Sequence, residues 1–226
     1  MMPLRDLNPR RTFPAVTIGL IVINVLCFLY EMSLGSGLEG YITRSAFVPD
    51  EFFAPGNLVA DARSILFSMF LHGGIMHLLG NMLYLWIFGD NVEDRMGHIV
   101  YLLFYLAAGA AASLAHAFSA PHSHVPAVGA SGAISGVLGA YLLMFPQARV
   151  LTLIPLGYYM RTSEMPAIIV LGLWFVFQVL SGMLGSSEGG VAFWAHIGGF
   201  VFGMAIGLLY SRRSQRATAG WSGTGP

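Results

Sequence analysis

Residues 96–148 contain no Asp, Glu, Lys or Arg, an uninterrupted run of 53 positions. As one α-helix this run would be about 80 Å long at 1.5 Å per residue, whereas the hydrocarbon core of a bilayer is about 30 Å thick. The run must therefore break. Residues 119–126, Ser-Ala-Pro-His-Ser-His-Val-Pro, are the breaker, because neither proline continues a helix. The pattern predicts one helix over 98–117 and another over 131–145, closed by Pro146. The second is only about 22 Å long, so Ser131 at its start falls below the membrane surface, under non-helical backbone. Such backbone is tolerated at that depth only where protein buries it or it lines a wet cavity.

The rest of the chain carries the same signature. Of 226 residues, 56% are hydrophobic and 10% charged, against about 25% charged in soluble proteins. The formal net charge is zero, which implies no nucleic-acid partner. Cys27 is the single cysteine; it excludes an internal disulfide and reads as a small buried hydrophobe. Residues 12–30 make a first span, retained and not cleaved as a signal, since no small-x-small site closely follows it. Asn24 within it is expected to hydrogen-bond to a neighbouring helix. Residues 36–63 hold Glu39, Arg44, Asp50, Glu51, Asp61 and Arg63. They are too many for a structureless connection, and their apolar clusters at 46–48 and 51–54 predict a folded, partly interfacial loop.

Residues 64–89 make a second span, containing His72, His77 and Asn81 and ended in water by 90–95. Residues 165–187 and 189–211 make a fifth and a sixth, joined by a short turn at 182–190. The expected fold class is an all-α polytopic bundle of six transmembrane helices over residues 12–211. Residues 1–11 form a cytoplasmic N-terminal segment, and 212–226 a polar, Gly/Ser-rich cytoplasmic tail expected to be disordered.

With six spans both termini share one side. Arg5, Arg10, Arg11, Arg95, Arg149, Arg161, Arg212, Arg213 and Arg216 fall on that side, and only Arg44 and Arg63 on the other. The positive-inside rule then puts the termini in the cytoplasm and the start of the fourth helix, with Ser131, toward the outside.

Ser131 sits in Gly129-Ala130-Ser131-Gly132-Ala133-Ile134-Ser135-Gly136. Two readings apply. Small residues at this spacing form tight helix seams in membranes. A serine flanked by Gly129 and Gly132 is also an accessible nucleophile, since the glycines let a scissile peptide approach closely. The second reading needs a base, and His196, in Ala195-His196-Ile197-Gly198-Gly199, is the only histidine of the sixth span. Gly199, Gly203 and Gly207 repeat at four-residue spacing, as do Gly132, Gly136 and Ala140, which predicts that the fourth and sixth helices pack together. An ionisable group inside a membrane span marks a functional site by default, although His196 alone could serve as an interhelical hydrogen bond. Every Asp and Glu lies outside the spans or at their edges. A Ser/His pair is therefore expected, not a triad. His77 and Asn81 are four apart and share a helix face; they suit either interhelical hydrogen bonds or donation to an oxyanion. His72 is expected at the loop–helix junction.

With these residues in view, the chain resembles the rhomboid family of intramembrane serine proteases from about residue 12 to 211. Gly129-Ala130-Ser131-Gly132 is similar to the family's nucleophile motif, and Ala195-His196-Ile197-Gly198-Gly199-Phe200 to its base motif. His72, His77 and Asn81 match its His-His-Asn pattern, and Glu93-Asp94-Arg95-Met96-Gly97 its Glu-x-Arg segment. The resemblance implies a serine endopeptidase that cleaves transmembrane segments of other membrane proteins without a cofactor. It implies Ser131 as nucleophile, His196 as base and then acid, and His77, Asn81 and the Ser131 backbone N–H as oxyanion donors. It also implies a multi-pass protein of a cell membrane, here expected to be a bacterial inner membrane.

Two positions depart from the family pattern. Some members stack an aromatic ring on the histidine from one turn after the nucleophile; here that position is Ser135, whose hydroxyl is expected to hold His196 instead. Many have Trp-Arg in the first outer loop, where this chain has Arg63-Ser64. Competing classes are a catalytically inactive relative that binds membrane clients and a metal transporter lined by His72, His77, His116, His122 and His124. The His-Glu-x-x-His of zinc proteases is absent, and an aspartyl protease would need two membrane aspartates.

Overall fold

The computed structural model describes residues 1–54, 58–157, 159–184 and 192–219. Glu188 and most of the 182–190 turn lie outside these. The described chain is mainly helical: α1 (Ala15–Ser33), α2 (Leu38–Ser45), α3 (Pro49–Phe53), α4 (Leu58–Ser68), α5 (Ile75–Met96), α6 (His98–Ser119), α7 (Ser131–Met144), α8 (Ala167–Met183) and α9 (Phe193–Ala219). Among the described residues three helical segments are long and apolar enough to cross a bilayer: Ala15–Ser33, His98–Ser119 and Phe193–Ser211. Two shorter apolar helices, Ser131–Met144 and Ala167–Met183, accompany them.

Helix α7 is the centre of the molecule. Every one of its residues is buried except Ser131 and Leu143. A helix that is apolar on all sides can only be satisfied by neighbours all round. Its small residues set how close those neighbours come. A Cβ added at Gly132 would lie 2.6 Å from the Ala112 Cβ of α6, and one at Gly136 would lie 2.5 Å from the Ala108 Cβ. Toward α9 the approach is backbone to backbone. A Cβ at Gly199 would fall on the Gly132 carbonyl oxygen, and one at Gly203 on the Gly136 carbonyl oxygen; at Gly207 it would lie 2.8 Å from the Ala140 oxygen. The seam expected from the two stripes is thus present, residue against residue.

The described part of residues 36–63 is folded around the first of its two apolar clusters. Ala46, Phe47 and Val48 are buried, and Phe47 pairs with Ala127 in an isolated antiparallel bridge.

Three differences from the sequence reading have physical causes. The second apolar stretch is two helices, α4 and α5, separated by residues 69–74, where Gly73-Gly74 interrupts the pattern. Helix α5 then runs on through 90–95, which composition assigned to water. The reason is Glu93, fully buried, whose carboxylate accepts from Val16 N (2.9 Å), Thr17 N and Thr17 Oγ1 (both 2.7 Å). It satisfies the free N–H groups at the start of α1 and complements that helix's dipole. His98 Nδ1 meets it as well, at 2.6 Å.

Secondly, the fold is not purely α. Strands β1 (Met2–Asp6), β2 (Arg149–Leu156) and β3 (Tyr159–Pro166) form an antiparallel sheet in the order β1-β2-β3. Residues 1–11 and the 146–165 connection are therefore joined, not separate loops. Asp6 accepts from Asn91 Nδ2 at 2.7 Å and from Asn8 N at 2.9 Å, and burial pushes its carboxyl up to about 6. Thirdly, α9 continues to Ala219, into the segment that composition assigned to a tail.

Candidate active site

Ser131 is the first residue of α7 and His196 lies in the first turn of α9. The Gly132–Gly199 and Gly136–Gly203 contacts register the two helices, and that register brings the side chains together. Ser131 Oγ lies 2.8 Å from His196 Nε2. As the first helical residue, Ser131 has a backbone N–H with no partner inside the helix, and it stands at the positive end of the α7 dipole.

The segment leading into Ser131 is held on both sides. Ala127 N donates to Phe47 O and Gly129 N to Ser68 O, each at 2.8 Å. Gly129 has φ +127°, a conformation that glycine alone adopts readily. A Cβ there would also lie 2.7 Å from His77 Cε1 and 2.8 Å from His77 Nε2. The His77 ring therefore packs directly on the backbone two residues before the serine. Asn81 follows one turn later on α5. It is buried, and its Nδ2 has no hydrogen-bond partner among the described residues. Beside Ser131 is a cavity of about 30 Å³ walled by small side chains, among them Ala112, Ser113, Ala127 and Ala195.

His72 lies in the 69–74 loop, where it was expected. Its Nδ1 approaches Phe70 O at 3.2 Å, and its ring meets that of His77 edge to face, with centroids 5.4 Å apart. The backbone N–H of His72 donates to both carboxylate oxygens of Glu31, at 3.2 and 3.3 Å. Glu31 is 1% exposed. An acid at the edge of the first span is thus buried under this loop, and its bonds go to His72 and not to His196. Among the described residues no group of three His, Cys, Asp or Glu side chains is gathered as a metal site requires.

The sequence model of the rhomboid domain matches residues 60–213. The chain belongs to the rhomboid family. It is 34% identical over 197 residues to the rhomboid protease GluP of Bacillus subtilis, covering 86% of this chain and 35% of that protein. It is 29% identical over 163 residues to the mitochondrial rhomboid protein 1 of Saccharomyces cerevisiae, covering 68% and 43%. It is 34% identical over 151 residues to RHOMBOID-like protein 2 of Arabidopsis thaliana, covering 67% and 43%. The chain therefore spans less than half the length of these rhomboid relatives. Family membership and the apolar helices make this an integral membrane protein.

The position one turn after Ser131 is resolved differently from the expectation. Ser135 does not hold His196. Its Oγ donates to the Ser131 carbonyl at 2.6 Å, the usual destination of a serine hydroxyl inside a helix. His196 is instead met from α8. Its Nδ1 lies 2.7 Å from Gln178 Oε1. The Trp174 ring lies 6.0 Å from the imidazole, with 35° between the planes. Gln178 and Trp174 were missed in the sequence. The available signal was Gln178 itself, which with Ser181 is one of only two polar side chains in α8.

Proposed function

We propose that this chain is an intramembrane serine endopeptidase that cleaves transmembrane segments of other membrane proteins, using Ser131 and His196. The observation that carries the reading is the 2.8 Å approach of Ser131 Oγ to His196 Nε2. A relative named as a rhomboid protease supports it. Ser131 Oγ attacks the scissile carbonyl carbon while its proton passes to His196 Nε2. The C–N bond of the tetrahedral intermediate then breaks, and His196 gives the proton to the leaving amine. Water attacks the acyl-enzyme in the same way, and the proton returns to Ser131 Oγ.

Charge on the former carbonyl oxygen needs donors fixed in advance. The Ser131 N–H, Asn81 Nδ2 and His77 take this part. Asn81 Nδ2 is a buried donor without a partner among the described residues, an arrangement that costs stability in a resting protein and suits an oxygen that appears only during reaction. Asn81→Ala is expected to lower turnover about 10- to 1,000-fold, with KM much less affected. Turnover and thermal unfolding measured on one preparation check this. A lower melting temperature with an unchanged rate per folded molecule would reduce Asn81 to a tie between helices.

In the bilayer, α5, α7 and α8 join the three longer apolar segments as spans, giving six, with both termini in the cytoplasm of a bacterial cell. The nine-to-two division of arginines supports this orientation. Helix α7, at about 21 Å, is shorter than the hydrocarbon core, which leaves Ser131 below the outer surface and open to the outside. A reporter fused after Arg216 is expected to behave as cytoplasmic, and one inserted at 119–126 as external. The reverse pattern would overturn the orientation.

A further inference from the structure

His196 has two ring nitrogens, and the reaction above uses one. Nε2 faces Ser131 Oγ; Nδ1 lies 2.7 Å from Gln178 Oε1. An amide oxygen only accepts, so this contact requires the proton of the neutral imidazole to sit on Nδ1. Nε2 is then left with its lone pair toward the serine hydroxyl, the tautomer that a general base needs. Gln178 is 5% exposed. A buried amide on an apolar helix is costly unless its groups are paired, and here the carbonyl is paired with the histidine. Trp174, four residues earlier on the same face of α8, lies against the ring, and Phe193 meets it edge-on at 6.5 Å.

We infer that Gln178 is the positioning residue of His196: it fixes the tautomer and the ring angle, with Trp174 bracing the ring face. The inference rests on Ser131 and His196 being the nucleophile and base. Helix α8 thereby supplies what a carboxylate supplies in a triad, with one difference. A neutral oxygen orients the ring but brings no full negative charge to the imidazolium that forms. Gln178 touches the base and not the substrate, so its loss falls on kcat and not on KM.

The test compares the full chain with its Gln178→Met, Gln178→Glu and Ser131→Ala variants in proteoliposomes. Cleavage of one single-span substrate is measured from pH 5 to 9, together with thermal unfolding. Gln178→Met removes the acceptor at similar volume and is expected to lower kcat about 10- to 100-fold at unchanged KM. Gln178→Glu restores an acceptor. It is expected to recover much of that loss and to move the acid limb of the kcat profile to higher pH, because a carboxylate favours the protonated ring. His77 on α5 and His116 on α6 are the other titratable groups acting on His196, and both are unchanged across the series. A Gln178→Met protein with wild-type kcat per folded molecule would overturn the inference, as would an acid limb that Gln178→Glu leaves in place. If Ser131→Ala cleaves as fast as wild type, the assignment of Ser131 and His196 falls as well; if Ser131→Ala is inert and only Gln178→Met is normal, the inference about Gln178 falls alone.

Discussion

Ser131→Ala and His196→Ala are each expected to lower cleavage of a single-span substrate about 10⁴- to 10⁶-fold, with little loss of folded protein. The motivation is the direct hydrogen bond between the two side chains. A nucleophile and its base act as a unit, so combining the two substitutions should cost little more than either alone. Stability should change little, because Ser131 is only partly buried and alanine is an excellent first-turn residue. Ser135 does not stand in as nucleophile, since its hydroxyl is turned back to the Ser131 carbonyl. Initial rates in proteoliposomes, normalised to folded protein, check the expectation. A clean Ser131→Ala protein that retains a tenth of wild-type activity would remove Ser131 from the mechanism.

Gly203→Val is expected to damage both the fold and the rate. An added Cβ would fall on the Gly136 carbonyl oxygen, and it would lie 2.6 Å from the Gly136 carbonyl carbon and 2.7 Å from its Cα. These are backbone atoms, so no side chain can swing aside. Overpacking of this kind costs about 1–3 kcal/mol or more. Helix α7 carries Ser131 and α9 carries His196, so a wedge between them also pulls these two side chains apart. A shift of about 1 Å is enough for about a 100-fold loss. The expected result is a lower melting temperature together with turnover reduced at least about 100-fold per folded molecule. Gly172 on α8 is the control: an added Cβ there meets nothing within 4 Å, and Gly172→Ala should leave melting and turnover near wild type. Wild-type behaviour of Gly203→Val would contradict the α7–α9 contact.

The parts of the site that were legible in the sequence are those written as local pattern. The start of α7 at Ser131 follows from a proline-containing breaker in an uncharged run, and its packing on α9 from two glycine stripes of matching period. The oxyanion candidates His77 and Asn81 stand out because polar groups are rare in an apolar span. What was not legible depends on which side chains meet across helices far apart in the chain. Gln178 reads as one amide in an apolar helix until α8 is placed against α9. Glu31 reads only as an acid at the edge of the first span until the 69–74 loop folds over it and His72 donates to it. Glu93 sits in a charged hexapeptide that composition assigns to water, and its burial follows only from the unpaired N–H groups of α1 that it satisfies. The sheet was missed because β2 and β3 occupy a stretch between spans, where a mixed apolar and polar pattern reads as a loop. Its third strand comes from the other end of the chain.

The most direct measurement of the central claim is covalent trapping with a fluorophosphonate, followed by peptide mapping of the adduct. The account predicts one adduct, on Ser131, formed by the folded wild-type protein and lost in His196→Ala. An adduct on another serine, or a folded wild-type protein that is not labelled at all, would contradict it.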